Sequence, residues 1–332
     1  MKTPLFRALL AGLLVVGGVG CIEQVPAEAP LVCTTPADLA ASADVEIGAQ
    51  DAVLNIDGAR FHAWTYGGDV PGPVLRMDVG DTRTIKLVND SPRPASLHFH
   101  GVSYSASDDG SPEHPESIVN PGCAHIYTVT ATEPGVWPFH SHLDPRTEMA
   151  QGLVGAIVVP DPAELPADHE YVVFLGQLGL EGEGEEEGEG GEEEEESGGP
   201  AGIPQPFFMV VNGRPNGDAL VIEWDGLAYS MTSGVDAQAQ VGDRVRWRVL
   251  SVSPDDMHTF HLHGHRWCDR GGVMDVFGNC PAGTLPADNV GLFPAQGISL
   301  EYVEDAPGDW MYHCHIVDHV VDGMWAMYHV DP

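Results

Sequence analysis

The chain repeats itself. Val79-Gly80-Asp81 leads into an alternating run at 82–88 and then into His98-Phe99-His100-Gly101. Val241-Gly242-Asp243 leads into a similar run at 244–250 and then into His261-Leu262-His263-Gly264. Later, His140-Ser141-His142 in the first half is matched by His313-Cys314-His315 in the second. Three features in the same order, twice, mean two homologous units. At 332 residues the chain has room for two domains of ordinary size, with a junction at 160–166.

Both units read as all-β. Short alternating runs such as Thr84-Ile85-Lys86-Leu87-Val88 and Arg244-Val245-Arg246-Trp247-Arg248-Val249 are separated by Gly, Pro, Asn and Asp. Past the N-terminal leader no long stretch carries a helical period. Each unit is therefore expected to be a β-sandwich, the first over 46–163 and the second over 164–332. Eleven glutamates among glycines fill 181–196. Such a composition cannot bury a core, so 181–200 is expected as a disordered, solvated insert in the second unit. A collector of cations is the bolder reading of that run, but it has no ligand spacing.

The net charge is -36, from 14 basic and 50 acidic residues. That balance excludes nucleic acid and anionic membrane surfaces as partners. The N-terminus reads as an export signal over 1–21, with Lys2 and Arg7 before an apolar stretch at 9–16 that is too short to span a bilayer. It ends in Gly18-Val19-Gly20-Cys21, which resembles a bacterial lipoprotein lipobox, although Gly18 stands where that signal has leucine. Cys21 is thus a lipidation candidate and 22–45 a tether. The expected location is the periplasm or the cell envelope, with the membrane touched only through a lipid anchor.

Sixteen histidines are present, and ten fall in four clusters: His98/His100, His140/His142, His258/His261/His263 and His313/His315/His319. The other six, His62, His114, His125, His169, His265 and His329, are read as structural. On a strand, side chains two apart share a face and lie roughly 6.5–7 Å apart, so an H-x-H pair can serve two metals of one close group. Eight imidazoles suit copper better than magnesium or calcium. Zinc is the rival, but one zinc site needs only about four ligands.

Cys314 decides between them. In His313-Cys314-His315 the imidazoles face one way and the thiol the other. His319 follows Cys314 by five residues, Met324 follows by ten, and His258 precedes His261 by three. Two histidines, a cysteine and a methionine are the ligands of a blue copper electron-transfer site. Six cysteines in an exported chain imply disulfides. With Cys314 and Cys21 set aside, four remain and allow three pairings. The preferred one joins Cys268 to Cys280 locally and Cys33 to Cys123, stapling the N-terminal segment to the first domain.

The chain resembles the multicopper oxidases, most closely the bacterial two-domain small laccases. The matching pieces are Leu97-His98-Phe99-His100-Gly101-Val102, Trp137-Pro138-Phe139-His140-Ser141-His142, His258-Thr259-Phe260-His261-Leu262-His263-Gly264-His265-Arg266-Trp267 and Trp310-Met311-Tyr312-His313-Cys314-His315. Tyr66-Gly67-Gly68-Asp69-Val70-Pro71-Gly72-Pro73 is similar to an early strand of that family. The likeness spans roughly 50–330 outside the glutamate insert.

The resemblance implies two cupredoxin-like Greek-key domains holding four copper ions. It implies type 1 copper on His258, Cys314, His319 and Met324, and type 2 copper on His98 and His261. The type 3 pair falls to His100, His140, His142, His263, His313 and His315. Ser141 stands where a first-domain blue site would need cysteine, unlike in copper nitrite reductases. Tyr104, Asp109 and Asp288 match the family's tyrosine and acids near the three-copper group, where O2 reduction consumes protons. Asp109 is otherwise an ordinary turn acid before Gly110.

The implied activity is oxidation of phenols or similar donors with O2 as acceptor, in a head-to-tail homotrimer. An axial methionine implies a potential at the low end for the family. The alternatives are a metallo-oxidase of Cu(I), Fe(II) or Mn(II), and a copper-binding electron-transfer protein without catalysis. The ten methionines are dispersed, which favours organic donors over metal ions.

Overall fold

The computed structural model describes residues 33, 36–56, 59–179, 207–213 (backbone), 237–269, 272–274, 279–321 and 324–332. The export signal, Cys21, most of the tether and the glutamate insert lie outside the described residues. So do residues 322 and 323, just before Met324.

The first domain is built from β1 (Val45–Ile56), β2 (Ala59–Tyr66), β3 (Val74–Arg76), β4 (Thr82–Asn89), β5 (His98–Phe99), β6 (Val102–Tyr104), β7 (Ala124–Ala131), β8 (Gly135–His140) and β9 (Val154–Val159), with a short helix α1 (Pro145–Gln151). One sheet runs β2-β1-β4-β7-β6 and the facing sheet β3-β9-β8-β5. The second domain has β10 (His169–Gln177), β11 (Phe207–Gly213), β12 (Ala237–Gln240), β13 (Arg244–Ser251), β14 (His258–Leu262), β15 (Trp267–Cys268), β16 (Pro286–Ala287), β17 (Asn289–Leu292), β18 (Gly297–Val303), β19 (Gly308–His313) and β20 (Trp325–Asp331), with α2 (Val317–Val321). Its sheets run β11-β10-β13-β18 and β12-β20-β19-β14-β17.

The two topologies match in their main strands. The parallel pair β1·β4 answers to β10·β13, and the parallel pair β3·β9 answers to β12·β20. The second domain departs after its H-x-H-Gly turn: β6 pairs with β7, whereas β15, which follows the equivalent turn, pairs with β16, and the additional strand β17 pairs with β14. β17 thereby widens the sheet that carries the second domain's histidines.

Strand pleating sorts the apolar residues. β14 alternates buried and half-buried, and β12 and β20 alternate in the same sense. β9 is buried throughout because it serves two cores. Val154, Ala156 and Val158 point into a core shared with Val172, Phe174 and Val249 of the second domain. Ile157 and Val159 point into the first domain's own core with Phe99, Tyr127 and Phe139. Each valine, isoleucine or phenylalanine among them removed from water contributes about 1.5–3 kcal/mol, so the domains share a substantial apolar seam.

Charges line the edge of that seam. Arg76 at the end of β3 reaches Glu170 of β10 at 2.6 Å, and Arg248, wholly buried, pairs with Glu164 at 2.5 Å and Glu170 at 3.2 Å. Disulfides join Cys33 to Cys123 and Cys268 to Cys280, while Cys314 is a free, buried thiol. No described helix is long and apolar enough to cross a membrane.

β8 of the first domain lies so close to β18 of the second that a Cβ on Gly297 would meet the Val136 carbonyl oxygen at 1.9 Å. Gly297→Ala is expected to destabilise the fold by about 1–3 kcal/mol through overpacking. A urea unfolding midpoint unchanged from the parent would contradict this seam.

Candidate metal centres

Odd spacing on β14 sends His258 and His261 to opposite faces. His258 is fully buried, while His261 is half-buried on the outer side. One residue's step does the same at the end of β19. Cys314 groups with His258 and His319, whereas its neighbour His313 groups with His261 and His263. In each group the candidate ligand atoms lie within 4.8 Å of one another.

In the inner group, Nδ1 of His258 and Nδ1 of His319 are 3.1 Å apart, and Cys314 Sγ is 3.4 Å from His319 Nδ1. Ser253 Oγ, also buried, lies 2.7 Å from His258 Nε2 and occupies that nitrogen, turning Nδ1 toward the thiol. Met324 is wholly buried. Its carbonyl accepts from the Cys314 amide at 3.1 Å and its amide donates to the His319 carbonyl at 2.9 Å. Short α2 thus closes a loop that stitches Cys314, His319 and Met324 together. Burial, then the neighbouring His319, lowers the His258 imidazole to about 3, so it is a neutral donor.

The outer group is a half-cluster of four imidazoles. Ring centroids of His261 and His263 are 5.1 Å apart, those of His313 and His315 5.3 Å, and those of His261 and His315 5.3 Å. Nε2 of His263 and Nε2 of His313 face each other at 3.1 Å. The first domain builds the same object. His98 and His100 are 5.2 Å apart, His140 and His142 5.6 Å, and the Nε2 atoms of His100 and His140 again face each other at 3.1 Å. The second histidine of every pair falls one or two residues past the end of its strand. That lets the rings converge below the roughly 6.5–7 Å of an extended pair.

Backbone carbonyls fix the tautomers. His98 Nδ1 donates to the Asp109 carbonyl at 2.8 Å, and His261 Nδ1 to the Asp288 carbonyl at 2.6 Å. His140 Nδ1 donates to Ser141 O and His313 Nδ1 to Cys314 O, both at 2.8 Å. A ring nitrogen facing a carbonyl must carry the proton, so Nε2 keeps its lone pair for a metal. His142 Nδ1 is buried without a hydrogen-bond partner among the described residues, as fits a nitrogen that ligates a metal. Burial, aided by His98 and His142, lowers His100 to about 4; burial outweighs the Ser141 hydrogen bond and lowers His140 to about 3. Pre-oriented imidazoles, with His100, His140 and His258 kept neutral by burial, and one buried thiol fit copper.

A tryptophan locks each half-cluster from behind. Gly101 and Gly264 follow the H-x-H pairs with φ of +68° and +74°. A Cβ on Gly101 would fall 2.1 Å from the Trp137 ring, and one on Gly264 2.7 Å from the Trp310 ring. Only glycine combines that backbone with that contact.

Around His98, the Tyr104 hydroxyl donates to Asp109 Oδ1 at 3.4 Å, and Asp109 Oδ1 is 3.7 Å from His98 Nδ1. Burial pushes the Asp109 carboxyl up, but the Ser111 hydrogen bond and nearby His98 and His114 outweigh it and hold it below the ordinary value. Burial and then Asp109 raise the Tyr104 phenol. Asp288 touches the site through its carbonyl, and its side chain is exposed.

Among the remaining histidines, His114, His125, His169, His265 and His329 each sit beside a carboxylate, and His265 is buried against Glu304 at 3.0 Å. The carbonyl partners and Ser253 were missed from sequence. A carbonyl belongs to every residue, and no side-chain pattern marks which one a loop will present.

The two half-clusters of one chain do not meet: no described ring contact or hydrogen bond joins the set of His98, His100, His140 and His142 to the set of His261, His263, His313 and His315.

Residues 49–164 match a family model described as multicopper oxidase, and residues 207–332 match a second with the same description. A probable nitrite reductase-hydroxylamine oxidoreductase fusion protein of Kuenenia stuttgartiensis is 30% identical over 292 residues, covering 82% of this chain and 30% of that protein. Ferroxidase HEPHL1 of Homo sapiens is 25% identical over 311 residues, covering 82% of this chain and 24% of that protein. The chain therefore spans less than a third of the length of these curated relatives. A crystal structure of a multicopper oxidase superposes with a TM-score of 0.65 at 25% identity, covering 86% of this chain and 88% of that one. Both halves share the tandem cupredoxin fold, and the chain belongs to the two-domain multicopper oxidases.

Proposed function

We propose that the protein is a laccase-like oxidase that couples one-electron oxidation of phenolic donors to reduction of O2. One observation carries this: Cys314 and His313 are adjacent in the chain yet belong to different ligand groups. Copper supplies the redox chemistry when bound, one ion oxidising the donor and a three-ion group reducing O2 to water. His258, Cys314, His319 and Met324 would hold the first. His98 and His261 would hold the type 2 ion, and His100, His140, His142, His263, His313 and His315 the type 3 pair.

The donor meets the protein at His319. His258 is sealed at 0% exposure behind Ser253, while His319 keeps 8%. Exposed Val317 and Val321, one turn apart on α2, stand beside it. Met257 and Phe293, also exposed, follow one step past the paired His258 and Leu292. An apolar rim suits an aromatic donor. Protons reach the other centre through Asp109, which is ionised at neutral pH and can take a proton at Oδ1 beside Tyr104 and His98. Two disulfides support work outside the cytoplasm, in the cell envelope, with Cys21 as the tether.

Half-clusters that do not meet within a chain, with His263 and His315 exposed, support completion by a second copy. A head-to-tail contact that closes is a ring, and a homotrimer is the expected ring.

A metal-ion donor is the second reading. It is favoured by the likeness to a protein named ferroxidase and by exposed Asp318 beside His319.

Copper-loaded Cys314→Ser should lose the blue absorption band and at least about a thousandfold of O2 uptake, the scale on which removal of an essential group reads. A colourless variant with parent activity would refute the assignment. Turnover of a phenol should exceed that of Cu(I) or Fe(II) in the same oxygen electrode; the reverse order selects the metallo-oxidase. Sedimentation should give a trimer, and a fully active monomer would dismiss the shared cluster.

A further inference from the structure

A single side chain separates the two kinds of centre. Thr259 lies on β14 between His258 and His261. Its amide donates to Cys314 Sγ at 3.3 Å. Its Oγ1 accepts the His315 amide at 2.6 Å and lies 3.9 Å from the same sulfur. An oxygen that accepts from the amide still has its own hydrogen, and Cys314 Sγ is within reach of it. One residue thus brings two donors to the thiol and clamps the backbone of the histidine that follows it.

We propose that Thr259 is a positioning residue for both centres: it raises the reduction potential of the Cys314 site through its bonds to the sulfur, and it sets the His315 imidazole by holding that residue's amide. The inference rests on the blue-copper reading of His258, Cys314 and His319. Donors to a thiolate draw charge from the sulfur, which then stabilises an oxidised metal less well, so the potential rises. The clamp works by geometry. The His315 ring stands 5.3 Å from both His261 and His313, and rotation about its backbone would carry it out of that set.

Valine matches threonine in shape and keeps the amide bond to sulfur, but it removes the hydroxyl. Serine keeps the hydroxyl. Copper-loaded Thr259→Val should retain the parent's copper content while its blue site titrates at a lower potential with a shifted thiolate absorption band. Thr259→Ser should return both toward the parent. Hydrogen exchange at the His315 amide of the full-length protein should be about tenfold faster in Thr259→Val, the scale of one lost hydrogen bond, and near the parent rate in Thr259→Ser.

Parent potential, band and exchange rate in Thr259→Val would overturn the proposal, as would a serine variant that behaves like the valine one. If Thr259→Val loads copper poorly, the exchange rate decides alone, with unchanged protection counting against the clamp. A parent protein without any blue band would defeat the proposed function itself, which keeps the two failures apart.

Discussion

The two-residue period of the pleated strand is the constraint on which the whole molecule rests. Because neighbouring side chains leave a strand on opposite sides, Cys314 can enter a fully buried group with His258 and His319 while His313 enters a partly exposed one with His261 and His263. The step of three from His258 to His261 does the same on β14. The centres are separated by the thickness of one sheet and joined by covalent backbone. The same period lets β9 feed two apolar cores, one within its domain and one across the seam.

What surrounds the imidazoles is as regular as the imidazoles. Each half-cluster has one carbonyl from a distant loop, Asp109 or Asp288, and one from the following residue, Ser141 or Cys314. Each has a tryptophan lying against a left-handed glycine. The duplication therefore preserved the orientation of the imidazoles along with their identity. It did not preserve the inner pocket. In the first domain Ser141 takes the place of the cysteine, and its hydroxyl receives the Ser96 amide at 3.2 Å in a small polar network that needs no metal.

The sandwich fold and the grouping of the histidines were legible in the sequence because both depend on short-range spacing. Alternation marked β4 and β13, and H-x-H pairs marked the strand ends. Three things were not legible. The continuous apolar run of β9 has no period that tells a two-sided strand from a buried helix; its meaning appears only when the second domain covers it. The addition of β17 to the edge of β14 is a tertiary choice. The carbonyl partners and Ser253 depend on where loops return. The sequence also placed paired imidazoles at full strand spacing. They sit closer, because the chain leaves the strand before the second histidine.

The shared core along β9 has a bearing on how such a protein could arise and be taken apart. Val154, Ala156 and Val158 lie against Val172 and Phe174, with Gly297 packed on Val136, so neither half has a finished surface of its own. A duplicated gene yields two domains, but here the copies have grown into each other. Cutting the chain at the linker would bare an oily face on both fragments, and they should cling to one another or precipitate. The tandem is for that reason a single folding unit, and domain shuffling would have to carry both halves together.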